Sequence, residues 1–103
     1  MKRSKKESLK KGIILSEEEL EKILKELKNW KVEEGKLQRE YTFSSFVEAF
    51  GFMTAAAILS ESMNHRMEWY NNDQRVVVKL RTHSVGGITT IDVLLAKKLD
   101  QLK

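Results

Sequence analysis

Only two histidines occur in this 103-residue chain, and both fall in one stretch, at His65 and His83. Imidazole changes protonation near neutral pH, so a pair brought to one place can donate a proton and accept another. Glu61 stands four residues before His65, the spacing of neighbours on one helix face. A carboxylate there orients an imidazole and favours its charged form. Trp69 and Tyr70 follow as flat apolar walls with polar tips. The run from Arg75 to Thr82 alternates as a strand and delivers His83 at its end, ahead of the turn-forming Ser84-Val85-Gly86-Gly87. The chain has no cysteine, which excludes a thiol nucleophile, a thiolate metal site and a disulfide framework.

The elements that position these residues are legible around them. Ser16 and Glu19 have capping-box spacing, and Leu20, Ile23, Leu24 and Leu27 form an apolar stripe behind them. Trp30 to Val32 and Leu37 to Phe43 read as strands about a turn at Glu33 to Lys36. Arg39 interrupts the apolar alternation of the second strand, so that end of the face is expected to be exposed. Ser44 or Ser45 caps a second helix with a Phe46, Phe50, Met53, Ala57 stripe, ending near Asn64 or His65. A third strand starts at Glu68, and Asn72-Asp73 turns it into the β-branched fourth strand. Thr89 and Asp92 open the last helix, with Ile91, Leu94, Leu95, Leu99 and Leu102 as its apolar face. The expected class is α+β, in the order α-β-β-α-β-β-α, with a four-stranded antiparallel sheet and helices packed on one face.

Charge divides the chain unevenly. The net charge is +4, yet residues 1–12 hold six bases and one acid, which leaves 13 bases and 14 acids in the remainder. Residues 1–12 are expected to be a flexible basic tail and residues 13–103 one domain. A near-neutral body argues against nucleic-acid binding, and no apolar run is long enough for a membrane span. A cytoplasmic setting is expected. Taken singly, the candidate residues have plainer roles. His65 suits a helix C-terminus, His83 a solvated strand end, Asp92 a cap, and Lys79 and Arg81 a solvated strand face.

Taken together they resemble the pterin-4a-carbinolamine dehydratases, also found as dimerisation cofactors of a homeodomain transcription factor. That family has a Glu three residues before Asn-His-His-Pro-x-Trp, then a strand ending Thr-His, a Gly-Gly and a Thr-x-x-Asp helix start. Glu61, Asn64, His65, Glu68, Trp69, Thr82, His83, Gly86, Gly87, Thr89 or Thr90, and Asp92 match. The resemblance implies dehydration of a 4a-hydroxytetrahydropterin to the quinonoid dihydropterin, in tetrahydrobiopterin recycling, with no metal or cofactor. It implies His65 and His83 as the acid–base pair, with Glu61 orienting His65. Arg66, Trp69, Arg81, Thr82 and Asp92 are implied on the substrate side. It further implies a homodimer or homotetramer and a place beside an aromatic amino-acid hydroxylase. Two positions depart: Arg66 replaces the second histidine and Met67 the proline. An arginine stays protonated and can donate but not act as a base. Weakened activity is therefore expected, and the alternative is an inactive relative serving as a binding or assembly module.

Overall fold

The structure, a computed structural model, describes residues 12–103. Apart from Gly12, the basic tail expected over residues 1–12 lies outside the described residues. Three helices and four strands follow in the expected order: α1 (Glu17–Glu26), β1 (Lys31–Glu33), β2 (Lys36–Thr42), α2 (Phe46–Ser62), β3 (Glu68–Asn72), β4 (Arg75–Leu80) and α3 (Thr90–Leu102). Local chemistry sets several boundaries. Ser16 and Glu19 close a reciprocal capping box on α1, with the Ser16 N–H donating to Glu19 at 2.9 Å. That bond, first among its causes, lowers the Glu19 carboxyl below its ordinary range. At the β1–β2 turn both Glu34 (φ 54) and Gly35 (φ 74) are left-handed, as a two-residue hairpin of this twist requires.

The strands form one antiparallel sheet in the order β1-β2-β4-β3. Alternation puts Leu37 and Tyr41 of β2 and Val76, Val78 and Leu80 of β4 on one face, all fully buried. Ala49, Phe52 and Ala56 of α2 and Val93, Leu95, Ala96 and Leu99 of α3 complete the core. Tyr41 packs on Phe52 with ring centroids 4.6 Å apart.

Two sequence expectations need correction. The buried face of α2 is Ala49, Phe52 and Ala56, whereas Phe46 and Phe50 are exposed. This helix is apolar on both sides, so spacing alone could not say which side meets the sheet. Arg39 does not mark an exposed end either. Its side chain is 14% exposed and its Nη1 meets Asp100 of α3 at 2.6 Å. Asp100 also accepts from the Tyr41 hydroxyl at 2.5 Å and from Trp30 Nε1 at 3.0 Å. The cluster ties the end of α3 to β2. Burial, then the bond to Asp100, pushes the Tyr41 hydroxyl far above the usual tyrosine range.

A short segment not assigned from sequence matters for the site. Ile13 to Leu15 runs antiparallel to Ile88 to Thr90: Leu15 N–H donates to the Ile88 carbonyl and Thr90 N–H to the Ile13 carbonyl, each at 3.0 Å. It straps the loop that leads into α3.

Candidate active site

The site begins where α2 stops. Met63 is the C-cap, and Asn64 follows in the left-handed region at φ 53. The His65 N–H then donates to the Ser60 carbonyl and the Asn64 N–H to the Glu61 carbonyl, each at 3.0 Å. This crossed pair of bonds is a Schellman ending, and asparagine is the residue besides glycine that most readily takes its left-handed position. The chain turns there, so His65 leaves the helix. Glu61 and His65 are therefore not stacked on one helical face. Glu61 is exposed, and among the described residues its side chain makes no hydrogen bond to His65.

The carboxylate that holds His65 is Asp92, 27 positions along, with Nε2 and Oδ1 2.5 Å apart. Asp92 is completely buried, and donors surround it. Its Oδ2 accepts from the Thr82 hydroxyl at 2.8 Å and from the Thr89 N–H at 2.8 Å. Thr82 has one hydroxyl proton and gives it to Asp92, so Thr89 is the donor in the 2.8 Å contact between the two threonine hydroxyls. Asp92 is at once the capping residue of α3 and the partner of His65. As an acceptor it requires the proton on Nε2, which leaves His65 Nδ1 as the nitrogen open to a ligand. The imidazole is 11% exposed.

His83 is exposed and stands in a tight loop beyond β4. The Thr82 N–H donates to the Gly87 carbonyl and the Gly86 N–H to the Thr82 carbonyl, both at 2.9 Å, so the loop closes on itself. Gly86 supplies the left-handed turn at φ 69. Gly87 allows close approach, since a Cβ there would lie 2.8 Å from Ile14 Cδ1. The strap at Ile13 to Leu15 thus sits directly behind the loop that carries His83.

Two adjoining concavities share His65 and Arg66. The larger, about 490 Å³, is lined by Glu61, Asn64, Met67 and Trp69 besides these two. The smaller, about 170 Å³, is lined by Arg81, Thr82, His83 and Ser84 besides the same two. The structure thus gathers both histidines, both arginines, Glu61 and Trp69. Thr82 lines the smaller concavity, as expected of a residue on that side, whereas Asp92 lines neither. The Thr82 N–H and carbonyl are taken by the loop and its hydroxyl by Asp92, while Asp92 is sealed beneath His65. Asp92 therefore meets the site only through the imidazole of His65. Thr89, read from sequence only as a cap, belongs to this network too. The signal that could have found it is the capping box itself, which fixes the Asp92 carboxylate against the Thr89 N–H.

Comparison with known proteins finds relatives of the whole domain. A relative from Solibacter usitatus, named "Putative pterin-4-alpha-carbinolamine dehydratase", is 52% identical over 88 residues, covering 85% of this chain and 93% of that one. One of the same name from Prochlorococcus marinus is 47% identical over 90 residues, covering 87% and 94%. A crystal structure from Brucella melitensis, described as a transcriptional coactivator/pterin dehydratase, superimposes with a TM-score of 0.83 at 37% identity, over 87% of this chain and 98% of that chain. The family model described as pterin 4 alpha carbinolamine dehydratase matches residues 14–102, and this chain belongs to that family.

Proposed function

We propose that this protein is a dehydratase acting on a 4a-hydroxytetrahydropterin, and that His65 and His83 are its acid–base pair. The observation that carries this reading is that both imidazoles line one pocket while Asp92 holds one of them by Nε2. In the reaction the C4a–O bond breaks, and the hydroxyl leaves as water with a proton from an acid. The proton on N5 passes to a base, and a double bond forms between C4a and N5. His65 is suited to be the base, because the bond from Nε2 to Asp92 leaves Nδ1 as the nitrogen with a lone pair, and the carboxylate behind the ring stabilises the imidazolium that forms. His83, exposed at the loop, is suited to be the acid, because solvent can restore its proton. Trp69 offers a wall for the flat ring, and Arg66 can donate but not accept.

The test is dehydration of a 4a-hydroxytetrahydropterin by the purified protein, set beside His65→Ala, His83→Ala and Arg66→His. Acceleration over the spontaneous rate, falling by about 10² or more in both alanine variants, is the expected result. Acceleration only in Arg66→His would mean a site that has drifted on a retained scaffold, and would favour a binding or assembly role. The same reading carries a homo-oligomer, a cytoplasmic setting and a place in the recycling of a tetrahydropterin, as beside an aromatic amino-acid hydroxylase. Among the described residues, no helix is long and apolar enough to cross a membrane.

A further inference from the structure

We propose that Arg66 and Arg81 form an anion subsite beside the two histidines, so that the preferred substrate is a pterin whose side chain carries a phosphate or carboxylate. This inference rests on the pterin reading above. The smaller concavity is lined by His65, Arg66, Arg81, Thr82, His83 and Ser84, without a carboxylate among them. Three other cations of the sheet are matched, Arg39 with Asp100, Lys36 with Glu68 and Arg75 with Glu40. Among the described residues, neither Arg66 nor Arg81 has an acidic partner within 4.0 Å. Arg81 Nε is also buried and has no hydrogen-bond partner. Asp92, beneath His65, is sealed, and its oxygens serve Thr82, Thr89 and His65.

A guanidinium left half-buried without a counter-ion is costly unless a ligand supplies one. The bicyclic pterin ring is uncharged near neutral pH and needs donors and acceptors, not two cations. An anionic substituent would use them, since the forked donors of arginine fit the oxygens of phosphate and carboxylate. Arg81 Nη2 lies beside the turn, 3.7 Å from where a Cβ at Gly86 would stand, an ordinary contact distance. Arg66, exposed at the rim shared by both concavities, would meet the same group from the other side.

The experiment measures binding, so it does not depend on turnover. Dissociation constants are taken by calorimetry for three 7,8-dihydropterins: one with a neutral trihydroxypropyl side chain, its terminal monophosphate, and the 6-carboxylate. The wild type is expected to bind at least one anionic form about tenfold more tightly than the neutral one, and which one identifies the anion. That ratio should approach one in Arg81→Gln, fall in Arg66→Gln, persist in part in Arg81→Lys, and shrink as salt is raised. Melting curves establish that the variants are folded. A ratio of one in the wild type, or a ratio unchanged in both glutamine variants, overturns the subsite. If the wild type meanwhile accelerates dehydration of neutral 4a-hydroxy-6-methyltetrahydropterin, the dehydratase reading survives without it. Failure to bind any of the three pterins overturns both.

Discussion

At the residue scale the central fact is that one buried carboxylate does two jobs. Asp92 caps α3 and orients His65, and three donors converge on it. Asp92→Asn keeps the size but turns one of its acceptor positions into a donor, facing groups that also donate. The expected outcome is a loss of about 1–3 kcal/mol of stability, measured by urea denaturation. In the dehydration assay kcat is expected to fall by about 10², with little change in pterin affinity, because the residue touches the imidazole and not the ligand. Equal damage to affinity and kcat would show a merely structural role. Glu61→Gln, by contrast, should leave kcat within a few-fold of wild type, since Glu61 does not hold His65. A loss there as large as that in Asp92→Asn would return the orienting role to Glu61.

At the element scale, the termination of α2 determines where His65 lies. Asn64 occupies a left-handed position that a β-branched residue resists. Asn64→Val is expected to cost about 1–2 kcal/mol and to displace His65, while Asn64→Gly should be nearly neutral in thermal melts. At the far end of α3, Asp100 neutralises Arg39 under the helix and takes the Tyr41 hydroxyl. Asp100→Ala leaves a half-buried guanidinium without its carboxylate and should cost about 2–3 kcal/mol. Tyr41 adds a pH dependence. Its folded-state pKa is raised above the ordinary 10.0, so the folded form holds the proton more tightly than the unfolded form. That contribution is complete below pH 10.0 and is lost progressively above it, as the unfolded state ionises first. Stability measured from pH 9 to 12 should therefore decline in the wild type and less steeply in Tyr41→Phe.

At the scale of the whole molecule, surfaces remain that the single chain does not cover. Phe46, Val47, Phe50 and Ile58 leave α2 with an exposed apolar side, although Ala49, Phe52 and Ala56 of the same helix are buried. β1 and β3 are open edges of the sheet. Burying such a helix face is worth roughly 25 cal/mol per Å² of apolar surface, which favours assembly with a second copy. Light scattering is expected to give a multiple of the 12.0 kDa chain mass, and Phe50→Glu should shift the population toward the monomer. A 12.0 kDa species in the unmodified protein at micromolar concentration would reject the assembly.

The sequence by itself determined the element order, the caps and the alternation that makes β2 and β4 the centre of the sheet, because these depend on neighbours a few positions apart. Its residue types and spacing also bring forward His65, Arg66, Trp69, Arg81 and His83, which the fold sets around the two concavities. What it could not decide depended on contacts between distant residues. Local spacing favoured Glu61 as the partner of His65. Only the Schellman turn, and the packing that brings α3 beneath it, put Asp92 there instead. Arg39 looked like an exposed interruption because Asp100 lies 61 positions away. The inward side of α2 was undecided for the same reason: a helix apolar on both faces takes its orientation from what packs against it. That no acid among the described residues stands within 4.0 Å of Arg81 is a tertiary fact as well, since whether a cation has a counter-ion depends on which acids the fold brings near it.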